Sequence, residues 1–306
     1  MMDVCLLGTG GMMPLPNRYL TSLMTRLDGR MLLIDCGEGT QVTLKLTGYG
    51  YKNIDVICFT HYHADHVTGL PGLMLAIAAT GRTEPVTFIG PPGLKRVVES
   101  LCVVAREITF PLVFCELPAS GGTEMTVPGT DYVIHALPVD HACVCFAYTL
   151  EFRRLGKFDI ARAEALGLPK PLWGRLQREG KAEFEGKMYT SDMVLGAPRK
   201  GIKVSYCTDS RPVKTLPAFI CDADLFVCEG LYGDPEKAEK AASHKHMWYA
   251  EAAELARAGN VKKMWLTHYS PAMTHPKEHL HIAREIFAET YAGYDRIEET
   301  ILFEED

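Results

Sequence analysis

Short apolar runs recur along the chain, and several stop at a residue able to bind a metal or move a proton. Residues 54–59 (IDVICF) lead to His61, 132–139 to Asp140 and His141, and 203–207 (KVSYC) to Asp209. Residues 225–228 (LFVC) lead to Glu229 and 264–266 (MWL) to His268, while 4–7 and 31–34 end at Gly8-Thr9-Gly10 and Asp35. Runs of this length between turn residues are predicted as buried strands. Between them, residues 73–79, 94–104, 251–258 and 276–291 carry the apolar spacing of helices, and Gly259 stops the third. Strands alternating with helices predict an α/β protein with sheets inside and helices outside. Strands that empty onto one rim gather their terminal residues around one crevice.

Composition narrows the class. The 306 residues are 47% hydrophobic and 23% charged, as in a soluble globular protein able to bury a large core. A net charge of -6 excludes a general nucleic-acid coat and leaves room for a local basic patch. The ten cysteines are scattered with no CxxC pair. They read as reduced, mostly buried small hydrophobes of a cytosolic protein, with Cys143-Val144-Cys145 inside an apolar strand-like run. No Lys or Arg precedes the apolar run of MMDVCLLGTGGMMP, which makes it a poor signal peptide. No uncharged apolar run approaches the length of a membrane span. A cytoplasmic location without membrane attachment is therefore expected.

One segment departs from the rest. Residues 153–200 hold 11 Lys/Arg against 6 Asp/Glu, a surplus of +5, which leaves -11 on the remainder of the chain. It includes GLPKPLWGRLQREGKAEFEGK, rich in turns and charge, and reads as an insertion projecting from a single domain spanning 1–306. Arg175, Arg178 and Lys181 lie within it.

The stretch FTHYHADH at 59–66 carries the chemistry. It places three of the chain's 11 histidines and an aspartate just beyond a predicted strand. HExxH would set two ligands on one helix face. Here His61 and His63 alternate as in extended chain, and Asp65 and His66 continue into the turn. Nitrogen and oxygen donors of this kind suit two adjacent zinc ions. More donors are needed, and His141, Asp209 and His268 stand at the other strand ends. A carboxylate can bridge two cations about 3.5–4 Å apart, and Asp209 is the candidate for it. His275, His279 and His281 read instead as surface residues of a polar helix.

These motifs resemble those of the metallo-β-lactamase superfamily and, within it, the ribonuclease Z family of tRNA 3′-processing endonucleases. The similarity runs over nearly the whole chain: LGTG at 7–10, LLIDCGEGTQ at 32–41, FTHYHADHVTGLPGL at 59–73, PVDHACVCFAY at 138–148, VLGAPRKGIKVSYCTDSRP at 194–212 and LTHYSP at 266–271. The resemblance implies an αββα sandwich with two zinc ions at its edge. It implies one ion on His61, His63 and His141, the other on Asp65, His66 and His268, and Asp209 between them. The ions would activate a water as nucleophile, Asp65 would orient it and take its proton, and Asp35 would support a ligand loop. Glu229 and His246 match the family's acid pair, which protonates the departing ribose 3′-oxygen. Residues 153–200 match the projecting arm that grips tRNA, and the resemblance further implies a homodimer in which one subunit's arm serves the other's site.

The resemblance departs at three places. Residues 228–231 read CEGL where relatives commonly have HEAT, 246–248 read HMW in place of HST, and SPAM replaces the SxRY ending. The ionisable partners survive and the neighbouring hydroxyls do not. Two readings result: an endoribonuclease that removes the 3′ trailer of precursor tRNA, and a phosphodiesterase of the same build acting on small diesters or other RNA. A thioester, lactone or β-lactam hydrolase would share the site but has no need of a basic arm. A di-iron redox protein usually has glutamate at the second ligand position, where this chain has His63, and imidazole there favours zinc.

Overall fold

The computed structural model describes residues 1–127, 132–197 and 199–304. Strands β1 (Met2–Gly8), β2 (Ser22–Leu27), β3 (Arg30–Ile34), β4 (Ile54–Cys58), β5 (Val86–Gly90) and β6 (Leu112–Glu116) lie side by side in chain order. The pairs among β1, β2 and β3 are antiparallel, and those from β3 to β6 are parallel. A second sheet is formed by β7 (Thr123–Thr126), β8 (Tyr132–Val139) and β9 (Cys145–Arg154), followed, beyond the hairpin of β10 (Lys181–Phe184) and β11 (Lys187–Thr190), by β12 (Arg199–Cys207), β13 (Leu225–Glu229), β14 (Met264–Thr267) and β15 (Thr290–Ala292). Its order is β15-β14-β13-β12-β9-β8-β7, and β12 through β15 run parallel. The last strand, β16 (Glu298–Ile301), returns antiparallel to β1.

Alternation along each strand makes two apolar faces. Cys5, Leu7, Leu33 and Ile57 of the first sheet cluster with Leu44, Leu73 and Leu94 from helices Thr40–Thr47, Leu70–Ala78 and Leu94–Leu101. Phe226, Cys228 and Leu266 of the second cluster with Tyr249, Ala253 and Leu280 from helices Tyr249–Ala258 and Leu280–Ile286. Intervening residues such as Val4, Leu6, Tyr206 and Val227 are equally buried and point to the opposite faces. There the sheets meet: Tyr148 donates to the Phe59 carbonyl at 2.8 Å, and the Tyr206 and Thr21 hydroxyls bond at 2.8 Å. Each large side chain so buried stabilises the sandwich by about 1.5–3 kcal/mol. The result is the expected αββα layering.

The helix predicted over 276–291 is shorter than its pattern. It covers Leu280–Ile286, after which Phe287 turns extended and Thr290–Ala292 become an edge strand on β14. The Thr290 hydroxyl donates to the Phe287 carbonyl at 2.6 Å, and Arg284 Nε donates to the Thr290 carbonyl at 2.9 Å. Strand pairing here overrides a helical periodicity. His275 and His281 are exposed and His279 is half-buried.

Residues Phe152–Gly201, with the C-terminal residues from Phe303, form a second compact unit. Helices Ile160–Ala165 and Lys170–Glu179 and the β10–β11 hairpin enclose a small core of Ala163, Leu168, Leu176, Ala182, Tyr189 and Val194. Trp173 packs against this core, and its indole N–H donates to the Leu168 carbonyl at 2.8 Å. Pro at the start of Lys170–Glu179 and left-handed Gly180 at its end delimit that helix.

Candidate metal centre and acid pair

Parallel pairing brings the strand ends together. Cys207 pairs with Cys228 and Glu229 with Thr267, so β12, β13 and β14 deliver Asp209, Glu229 and His268 side by side. In the other sheet Ile34 pairs with Cys58, which sets Asp35 beside Thr60 and His61. Asp35, Asp209 and His268 all have left-handed backbones, at φ 62°, 52° and 56°. Aspartate and histidine enter this region more readily than most residues, yet three such backbones at one edge of the sandwich are uncommon. Such departures persist where the surroundings enforce them, and they cluster at functional sites. Gly11 touches His268 so closely that a Cβ there would come 2.6 Å from the imidazole Cε1.

One group of donors is nearly closed. The distances from His66 Nε2 to Asp209 Oδ2, His268 Nε2 and Asp65 Oδ2 are 3.1, 3.3 and 3.7 Å. His268 Nε2 is 3.3 Å from both carboxylate oxygens. Donors 2.0–2.1 Å from one tetrahedral zinc ion are separated by about 3.3 Å, so this spacing fits a metal. A second group comprises His61, His63 and His141, with His141 Nε2 at 3.3 Å from His63 Nδ1 and 3.9 Å from Asp209 Oδ1. Asp209 thus offers one oxygen to each group.

Hydrogen bonds determine which imidazole nitrogens face inward. Asp35 is wholly buried and accepts from His66 Nδ1 at 2.8 Å and from the Thr60 amide at 2.8 Å. The Thr60 hydroxyl also donates to Asp35, at 2.9 Å, so its oxygen accepts from His61 Nδ1 at 3.0 Å. His141 Nδ1 donates to the Lys245 carbonyl at 3.3 Å. His61, His66 and His141 therefore turn Nε2 towards the cluster, the nitrogen that metal ligation would use. The Asp209 and Asp35 carboxylates outweigh burial and hold His66 well above the usual imidazole range, so a cation there would displace its proton. The buried His61 Nε2 and Asp209 Oδ2 have no hydrogen-bond partner. Burial raises the pKa of Asp65 and Asp209, but His268 and His66 outweigh it and hold both carboxyls well below their usual range. Burial, with the charge of His66 next, pushes His61 well down. Buried carboxylates and neutral imidazole are the donor forms a divalent cation takes.

Glu229 and His246 form a separate pair. His246 Nδ1 donates to Glu229 Oε2 at 2.8 Å, and Glu229 Oε1 accepts the Ser210 amide at 2.6 Å. Burial pushes the His246 imidazole down, but the facing Glu229 carboxylate, its hydrogen bond, and Asp209 at 3.6 Å raise it to about 9. The His246 carbonyl is held by Arg211, which also forks onto Glu251. His246 and His268 stack with ring centroids 5.6 Å apart, which sets the pair beside the candidate metal groups.

The structure thus brings together all nine strand-end and motif residues singled out in the sequence, with Asp35 behind them. Arg175, Arg178 and Lys181 lie on the surface of the second unit, and Arg175 Nε is ion-paired to Glu179 at 2.9 Å. Thr60 was not singled out in the sequence, although it directly precedes His61. Cys143 was misplaced there: the chain bends through 141–143 before β9 starts at Cys145, so Cys143 is exposed outside the strand.

Comparison with solved structures defines the class first. Human tRNase Z, short form (ELAC1), superposes with TM-score 0.70 at 23% identity, covering 98% of this chain and 100% of that one. The metallo-β-lactamase fold protein YhfI from Bacillus subtilis superposes with TM-score 0.67 at 19% identity, covering 97% and 98%. The chain therefore has the metallo-β-lactamase fold. Residues 2–105 also match the family described as anti-Pycsar protein Apyc1. Full-length relatives are more specific: ribonuclease Z of Lachnoclostridium phytofermentans is 50% identical over 306 residues, covering 100% of both chains. Ribonuclease Z of Lachnospira eligens is 51% identical over 295 residues, covering 96% of both. The chain belongs to the ribonuclease Z family. Among the described residues, no helix is long and apolar enough to cross a membrane.

Proposed function

We propose that this chain is a cytoplasmic, zinc-dependent endoribonuclease that removes the 3′ trailer of precursor tRNA, leaving a 3′-hydroxyl on the tRNA. It would work as a homodimer with two zinc ions per chain, one on His61, His63 and His141, the other on Asp65, His66 and His268, and Asp209 shared. The observation that carries this reading is the pair of adjacent donor groups sharing Asp209 beside a Glu229–His246 pair. When bound, the cations would lower the pKa of a water and neutralise phosphoryl charge.

The side chains would do the rest. Asp65 Oδ2 is fixed by the Met12 amide at 2.7 Å, and an ionised carboxylate held there can orient a water and take its proton. His246, charged and oriented by Glu229, can pass its proton to the leaving ribose 3′-oxygen. That proton matters for an alkoxide and much less for an acidic phenol. Arg175, Arg178 and Lys181 would contact phosphates of the tRNA away from the reacting bond.

The altered residues at 228–231 and 246–248 favour a second reading, a small-diester phosphodiesterase. Incubating the purified protein with one precursor tRNA and mapping the new ends separates the two. A single cut after the acceptor stem, with 3′-hydroxyl and 5′-phosphate ends, is expected. Hydrolysis of bis-p-nitrophenyl phosphate with intact precursor tRNA would reject the tRNA reading.

A further inference from the structure

Cys143 stands two residues beyond His141, in the bend before β9. Its Sγ lies beside the His63 ring, 4.0 Å from Nε2, while the other ring nitrogen, Nδ1, is the one that faces His141 Nε2 at 3.3 Å. One donor atom from each of His61, His63, His141 and Cys143 falls within 4.8 Å of all the others. The buried His61 Nε2, without a hydrogen-bond partner, belongs to this cluster, while its other ring nitrogen is engaged by Thr60. Cys145, by contrast, is buried with its Sγ 3.8 Å from that engaged nitrogen, His61 Nδ1. Three imidazoles and one thiolate form a donor set suited to zinc and to softer ions.

We propose that Cys143 is a further protein donor, as thiolate, to the metal position formed by His61, His63 and His141. This inference rests on the metal centre proposed above. Coordination forms one sulfur–metal bond and releases the thiol proton to solvent, with no change of oxidation state. Nitrogen and sulfur donors on one zinc are about 3.5 Å apart, against a separation of up to 4.8 Å here, so closing the cluster asks the exposed Cys143 side chain to turn inward. The two metal positions are then chemically unequal. The one with Cys143 draws thiophilic ions such as cadmium, and the one with Asp65, His66 and His268 has only nitrogen and oxygen donors.

Cobalt(II) loading of the metal-free protein tests this without relying on turnover. Visible ligand-field bands report ion uptake by any of the donors, and a near-ultraviolet sulfur-to-cobalt charge-transfer band reports a bound thiolate. Wild type should show both. Cys143→Ser should lose the charge-transfer band and keep the visible bands, whereas Cys145→Ala should keep both. Cadmium affinity should fall by roughly 10–100-fold in Cys143→Ser, the size of loss typical when a metal-site partner is removed, with manganese affinity unchanged. Visible bands without a charge-transfer band in wild type, or a band that survives Cys143→Ser, would overturn the proposal and leave the metal centre standing. No cobalt uptake at all would overturn both.

Discussion

Asp35→Asn isolates the support of the candidate metal centre from its donors. Asparagine keeps the size of the side chain and tolerates the left-handed backbone at φ 62°, so the variant should fold. The carboxylate accepts at both oxygens, from the Thr60 amide and hydroxyl on one side and from His66 Nδ1 and the Thr60 hydroxyl on the other. An amide has one acceptor oxygen. If that oxygen keeps the Thr60 amide, the NH₂ group meets His66 Nδ1–H. The imidazole then shifts its proton to Nε2, which presents a donor hydrogen where a lone pair is needed. If the amide flips, Thr60 N–H is left unpaired in a wholly buried site. Either way a charge-assisted hydrogen bond is lost, worth about 1.5–3 kcal/mol. Loss of a partner that orients a metal-ligating histidine typically weakens metal affinity 10–100-fold. Zinc titration against a competing chromogenic chelator measures it, with near-ultraviolet circular dichroism as the check on folding. An Asp35→Asn variant that folds and binds zinc as tightly as wild type would refute the view that this carboxylate holds His66 in its ligating tautomer.

Asp209→Ala should abolish retention of both metal ions and His61→Ala chiefly one, read by elemental analysis after desalting, because Asp209 offers one oxygen to each donor group. Glu229→Gln should move the alkaline limb of precursor tRNA cleavage to lower pH. His246 is held protonated up to about 9 chiefly against burial by Glu229, and its acid form is lost as pH rises through that value, sooner once the carboxylate charge is gone. Cleavage of bis-p-nitrophenyl phosphate should keep its pH profile, since its leaving group needs no proton; equal shifts on both substrates would exclude a general-acid role. Replacing Arg175, Arg178 and Lys181 with alanine should lower the slope of log affinity for precursor tRNA against log salt by up to about 0.7–0.9 for each phosphate no longer neutralised. The share of Arg175 should be the smallest, since Glu179 already neutralises it. An unchanged slope would remove these residues from the tRNA-binding surface.

What the sequence by itself determined is what depends on near neighbours along the chain. Apolar runs at strand length, each ending on a histidine or a carboxylate, predicted the strand ends at His61, Asp209, Glu229 and His268. The HxHxDH spacing and the flanking motifs carried the family, because a ligand set at strand ends repeats recognisably in sequence. Residues 276–291 were misread because period alone cannot tell that Thr290–Ala292 would find an edge on β14. Cys143 was misread because a bend of three residues is invisible between two apolar runs.

Only the tertiary structure decided what those residues are to one another. Asp35 and His66 are 31 residues apart in sequence and 2.8 Å apart in space, and the Thr60 hydroxyl between them selects the inward nitrogen of His61. Asp209, just beyond β12, and His246, in the loop before helix Tyr249–Ala258, approach to 3.6 Å, and the neighbouring Glu229 raises the imidazole rather than leaving it a helix-flanking surface group. Hydrogen-bond direction, tautomer and charge state are properties of a closed neighbourhood. That neighbourhood exists only once parallel strands of two sheets have brought their ends to the same edge.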